Sequence, residues 1–76
     1  MSIQVRYFAS IRELLGRSEQ QIDGKDILSA ADVWERAAAM PWPANALVAV
    51  NQEHARPQDP VRDGDEVAFF PPVTGG

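Results

Sequence analysis

The chain has 76 residues, enough for one small domain, since a chain of this size buries only about 60% of the surface its unfolded state exposes. Apolar residues make up 45% and six are aromatic, which supports one modest core and argues against disorder. The net charge of −4 repels a phosphate backbone, and the lack of cysteine excludes disulfides, thiolate zinc sites, iron–sulfur clusters and a cysteine nucleophile.

Ser2 to Phe8 alternates, with Ile3, Val5 and Tyr7 on one face and Gln4, Arg6 and Phe8 on the other, as a half-buried strand does. Phe8 is the exception on the polar face. Ser10-Ile11-Arg12-Glu13 fits a capping box and Leu14-Leu15-Gly16 supplies apolar residues and a stop, predicting a short helical turn. Ser18 to Ile22 is polar and extended, a short edge strand closed by the Asp23-Gly24 turn.

Ser29 is a candidate N-cap, with Asp32 three residues on, for the one substantial helix. Its apolar stripe is Val33, Trp34, Ala37 and Met40, and Pro41 and Pro43 end it, holding Trp42 in a rigid corner. Leu47-Val48-Ala49-Val50 is a compact apolar strand, Asn51-Gln52 a turn, and Glu53 to Arg56 a weak returning strand before Pro57 and Pro60. Asp63-Gly64-Asp65 is the strongest turn signal, and Glu66 to Phe70 then forms a last strand that Pro71 and Pro72 terminate. The order of elements suits a mixed sheet with one helix packed across one face.

Two features bear on function. Proline fixes φ, so Pro71-Pro72 projects Val73, Thr74, Gly75 and Gly76 as a semi-rigid stalk whose tip carries no Cβ atoms. Read as chemistry, this tail presents its carboxyl group through a narrow channel; read as structure, it is an ordinary frayed end. An inert carboxylate becomes a mixed anhydride on adenylation, which a persulfide sulfur attacks to yield a thiocarboxylate. The second feature is parity. Phe69 and Phe70 point to opposite faces, so pairing Phe69 with Val67 leaves Phe70 outside. If the first and last strands are neighbours, Phe8 and Phe70 form an exposed aromatic patch near the root of the tail, where a partner could grip; otherwise Phe70 is a core residue.

The remaining residues lack supporting constellations. His54 is the only histidine and has no second ligand with which to hold a metal, so it reads as a surface residue. Asp63, Asp65 and Glu66 form a solvated turn or an acidic rim that steers a basic partner. Ser10, Ser18 and Ser29 have no glycine elbow or histidine pair, and Trp34 is most simply core. No apolar run approaches the ~20 residues of a membrane span and no signal peptide core is seen, which points to the cytoplasm.

The run from Asp63 to Gly76 resembles throughout the closing signature of the molybdopterin synthase small subunits, ubiquitin-like sulfur carriers of the molybdenum cofactor pathway. Tyr7-Phe8-Ala9, Arg12-Glu13-Leu14, Gly16 and Ala49-Val50-Asn51-Gln52 are similar to further parts of that family, and the helix is least matched. The resemblance implies an α+β, β-grasp fold over residues 1–70, a mixed sheet of four to five strands with one main helix on one face, and an extended tail over residues 71–76. It implies that Gly76 is adenylated by a ubiquitin-activating-like adenylyltransferase using ATP, converted to a thiocarboxylate, and inserted with Pro71, Pro72, Val73, Thr74 and Gly75 into a large catalytic subunit. Two carriers would then supply the sulfurs that turn cyclic pyranopterin monophosphate into molybdopterin, in a heterotetramer of two small and two large subunits. The chain would be a sulfur-donating subunit and no enzyme by itself, with no bound cofactor or metal. Phe8 and Phe70 match positions that face the partner. His54 stands where the family commonly has an apolar residue, so its contact would be more polar or pH-sensitive. The alternatives are a thiazole sulfur carrier of thiamine synthesis, which Phe-Phe-Pro-Pro-Val-Thr argues against, a ubiquitin-like protein modifier, and a docking module with an inert tail.

Overall fold

The computed structural model describes residues 2–72. Seven elements follow one another: β1 (Ser2–Tyr7), α1 (Ala9–Leu15), β2 (Glu19–Asp23), α2 (Ala30–Ala38), β3 (Leu47–Val50), β4 (Glu53–Ala55) and β5 (Glu66–Phe70). The five strands form one mixed sheet in the order β2-β1-β5-β3-β4. At its centre β1 and β5 run parallel, with Val5 beside Val67 and Tyr7 beside Phe69, while the other pairs are antiparallel. This is the β-grasp arrangement, and β2 lies at an edge as its polar sequence requires.

The period-2 pattern of β1 sorts its side chains as expected. Ile3, Val5 and Tyr7 are buried on the face that α2 covers, together with Val48, Val67 and Phe69. From α2 come Ala30, Val33, Trp34 and Ala37, a stripe of i, i+3, i+4 and i+7 positions. Aromatic rings fill the end of the core near the C-terminus of β5. Phe69 lies 4.9 Å from Trp34 and 5.4 Å from Trp42, both edge-on, and 6.1 Å from Tyr7 in a stacked arrangement. Both indole N–H groups are satisfied, that of the buried Trp34 donating to the Met40 carbonyl at 2.7 Å and that of the partly buried Trp42 to the Ala46 carbonyl at 3.2 Å.

The N-cap of α2 is Ser29, whose hydroxyl accepts from the Asp32 N–H while the Asp32 carboxylate accepts from Ser29, a reciprocal capping box. At α1 the expected capping box at Ser10 does not form. Phe8 is the N-cap, without a side-chain cap, and Ser10 lies inside the helix. The cause is tertiary. The Phe8 N–H continues the β1–β5 ladder to the Phe69 carbonyl at 3.1 Å, and its own carbonyl accepts from Ile11, so the helix starts directly off the strand. Consequently β1 ends at Tyr7 rather than Phe8. Gly16 does close α1, in the left-handed region at φ 72°.

Met40 is not on α2, which stops at Ala38, and its side chain packs partly buried against the core from the following loop. Ala39 occupies the left-handed conformation at φ 55°, before the prolines have any effect, and the Trp34–Met40 hydrogen bond carries the chain across the helix end. A Cβ is disfavoured there, so Ala39→Gly is expected to raise stability by about 0.5–1 kcal/mol, read as a higher urea midpoint at unchanged slope.

Asn51 and Gln52 both have positive φ, forming the tight turn between β3 and β4. The Asn51 amide ties this turn to β5, donating to Asp65 Oδ1 at 3.0 Å and accepting from the Glu66 N–H at 3.0 Å. Asp65 also accepts from the Arg62 N–H at 2.9 Å, so the acidic turn is a structural clasp. The Asn51 bond, then the Arg62 N–H, hold the Asp65 carboxyl below the usual carboxylate range. A depressed carboxyl contributes stability that is present above its unfolded value and lost as pH falls through the folded one. Wild type is therefore expected to be more stable than Asp65→Asn at pH 7, with the difference vanishing under strong acid in urea titrations at several pH values.

Candidate functional site

The face of the sheet turned away from α2 carries the second set of alternating residues. By register, Ala68 of β5 lies between Arg6 of β1 and Ala49 of β3, Phe70 lies opposite Leu47, and His54 of β4 lies opposite Ala49. The result is an apolar strip across β5, β3 and β4 at the end where the tail leaves the sheet. Ala49 is only 9% exposed although it stands outside the core cluster, so it forms the floor of this strip. Leu47 is 37% exposed and Phe8, at the end of β1, is 46% exposed.

Parity separates the two adjacent phenylalanines as the sequence requires. Phe69 is fully buried in the aromatic core and Phe70 is half-buried on the outer face. The ring against Phe70 is His54, whose centroid is 5.5 Å away at an interplanar angle of 86°. Phe8 flanks the strip one position beyond the Tyr7–Phe69 register pair, held by its N–H to the Phe69 carbonyl. The structure thus brings Phe70 and His54 into contact and sets Phe8 beside the same strand end. Leu47 escaped the sequence reading because Leu47 to Val50 looked uniformly apolar. Pairing it across from Phe70 was the signal that would have exposed it.

The strip continues into Pro71, which is half-buried, and Pro72, which is exposed. Gly76, the residue expected to carry the chemistry, and Val73, Thr74 and Gly75 lie outside the described residues. Arg6 and Glu19 approach to 3.9 Å on the rim, both well exposed, an ion pair worth little by itself.

Side-chain chemistry elsewhere is sparse. Tyr7 donates its hydroxyl to Gln20 Oε1 at 3.1 Å, and burial pushes its phenol upward against a smaller pull from Arg17, so it stays neutral. A groove on the helix side, between Trp34, Glu35, Met40, Pro41 and Trp42, holds a single carboxylate and no nucleophile. Among the described residues no group of three or more His, Asp or Glu side chains is placed to hold a metal, and no helix is long and apolar enough to cross a membrane.

The comparisons with known proteins bear on the fold and on kinship. Residues 5–76 match the ThiS family. A molybdopterin synthase sulfur carrier subunit from Chlamydomonas reinhardtii is 40% identical over the whole length of both chains. The crystal structure of SAMP1 from Haloferax volcanii superposes with a TM-score of 0.76 at 24% identity, covering all of both chains. Subunit 1 in a complex of subunits 1 and 2 of molybdopterin-converting factor from Helicobacter pylori gives 0.68 at 21% identity, again over both full chains. At those identities the two solved structures establish the fold, whereas the full-length match at 40% establishes kinship. The chain belongs to the ThiS family, alongside the molybdopterin synthase sulfur carrier subunits.

Proposed function

We propose that the chain is the sulfur carrier subunit of a molybdopterin synthase, donating sulfur from a thiocarboxylate at Gly76. The observation that carries this reading is the full-length 40% match to a molybdopterin synthase sulfur carrier subunit, together with a family match that runs through the terminal glycine.

The chemistry asks little of the folded domain. An adenylyltransferase of the ubiquitin-activating type transfers AMP from ATP to the Gly76 carboxylate, releasing pyrophosphate. A persulfide sulfur attacks the activated carbonyl and displaces AMP, and thiol reduction of the acyl disulfide leaves the thiocarboxylate. Sulfur then passes to cyclic pyranopterin monophosphate inside the large catalytic subunit, which supplies the catalytic side chains. Two such transfers build the dithiolene, in an assembly of two small and two large subunits in the cytoplasm. No cofactor is bound by the carrier.

What the domain contributes is placement. Residues 1–70 would serve as the β-grasp domain and residues 71–76 as the inserted tail, in which Pro71 and Pro72 restrict the backbone before insertion. Phe8, Phe70 and His54 provide the grip at the base of the stalk. The SAMP1 likeness is one of fold and leaves the acceptor to chemistry.

The test is reconstitution with purified large subunit and cyclic pyranopterin monophosphate. The thiocarboxylated chain is expected to yield molybdopterin, and the carboxylate form none. Equal product from both forms would refute the reading.

A further inference from the structure

We propose that the placement of its cations keeps this chain from acylating itself, arginines alone flanking the root of the tail while the only lysine, Lys25, stands at the opposite pole. The proposal rests on the carrier reading above, in which the Gly76 carboxyl group is adenylated. An acyl adenylate is open to an amine as well as to a persulfide. The amine lone pair attacks the Gly76 carbonyl carbon and a C–N bond forms. The C–O bond to AMP breaks, AMP leaves with the electron pair, and the ammonium proton passes to water. The amide so formed does not accept sulfur, and a carrier closed on its own lysine is lost.

Four arginines stand at the tail end of the sheet. Arg6 pairs with Ala68, two residues before Phe70, and Arg12 shares a cleft with Arg6 and Phe8. Arg17 adjoins Ser18, whose carbonyl accepts from the Tyr7 N–H at 2.9 Å. Arg56 follows Ala55, which pairs with Val48 one step short of Leu47 and Phe70. A guanidinium keeps its proton and is no nucleophile, whereas a lysine amine is one in the fraction that has lost its proton. An amine held near an acyl group also acts at a high effective concentration. Arginine therefore supplies positive charge beside the tail without an acceptor for its carboxyl group.

Lys25 is held far from there. β2 runs antiparallel to β1, so Asp23 lies opposite Ser2, at the end of the sheet away from Tyr7 and Phe69. In the turn that follows, the Lys25 N–H donates to Asp23 Oδ1 at 3.0 Å. Arg36 of α2 donates to the Asp23 and Lys25 carbonyls at 3.2 and 3.0 Å, fixing the turn at that pole. Tyr7 is five residues along β1 from Ser2 and Phe70 is one beyond Phe69, which makes about 20 Å of strand at about 3.3 Å per residue. Two strand spacings add about 10 Å sideways, for a straight line of roughly 22 Å from Phe70 to Asp23. Residues 71–76 span at most about 21 Å. β5 delivers the chain heading away from Lys25, so the tail would have to be fully extended and doubled back at once.

The experiment gives the full chain a small-thiol thioester at Gly76, made by intein cleavage, so that no enzyme shields the tail. Intact mass is followed at mildly alkaline pH and high dilution for wild type, Lys25→Arg, Arg6→Lys and Arg12→Lys, with fragmentation to locate any new amide. Wild type and Lys25→Arg are expected to hydrolyse to the carboxylate. Arg6→Lys and Arg12→Lys are expected to form a ring one water lighter than the carboxylate, at least about tenfold more abundant than in wild type and joined at the new lysine. A Gly76–Lys25 ring in wild type would overturn the proposal by showing that Lys25 is within reach. Lysine variants as inert as wild type would overturn it by showing that the arginines protect nothing. Either result leaves the carrier reading to the reconstitution above, which does not depend on it.

Discussion

Phe69→Ala and Phe70→Ala, one residue apart, are expected to fail in opposite ways. Phe69 is fully buried among Trp34, Trp42 and Tyr7, so its truncation removes the centre of the aromatic core. The expected cost is about 3–5 kcal/mol, a large part of what a domain this small possesses, and the urea midpoint is expected to collapse. Phe70 lies on the other face of the same strand, half-buried against His54. Its truncation is expected to leave the midpoint nearly unchanged and to weaken binding of the large subunit by about 2 kcal/mol, roughly thirtyfold in Kd. Normal binding by Phe70→Ala would show that the strip is not the docking surface.

Deletion of Gly76 is expected to have the largest functional effect and the smallest structural one. The core of the fold is built from residues 3 to 69, and the last strand ends at Phe70. The shortened chain is therefore expected to melt at the same temperature as wild type, yet to accept no sulfur and support no molybdopterin synthesis. A truncated chain that still carries sulfur would place the chemistry elsewhere, and an unstable one would mean that the tail belongs to the fold.

Much of this was legible from local pattern. The alternation in β1 and the Phe69–Phe70 parity fixed which side chains face α2. Ser29 with Asp32 marked a helix start whose chemistry is contained within a few residues, and Asp63-Gly64-Asp65 marked a turn. The failures share a cause, which is contact beyond the local motif from which each expectation was drawn. Ser10 lost the cap because β5, some sixty residues on, holds the Phe8 backbone in the sheet. Met40 lies beyond the left-handed C-cap Ala39, where its carbonyl accepts from the Trp34 indole. The outer strip was visible only in part. Phe8 and Phe70 followed from parity once β1 and β5 were assumed to be neighbours, but Leu47 and the His54–Phe70 contact depend on the β3–β5 and β3–β4 registers, which no single segment encodes. Asp65 is a similar case. It read as part of a solvated turn or an acidic rim, and the structure makes it the anchor for Asn51 on another hairpin.

The central claim concerns one atom at the end of the chain. The most direct test is the intact mass of the protein after incubation with ATP, the pathway's adenylating enzyme and a persulfide donor, with fragmentation to locate any change. The account predicts the exchange of one oxygen for one sulfur, confined to Gly76 and absent from the chain that lacks it. An unchanged mass, with the same enzyme shown to charge another carrier, would contradict it.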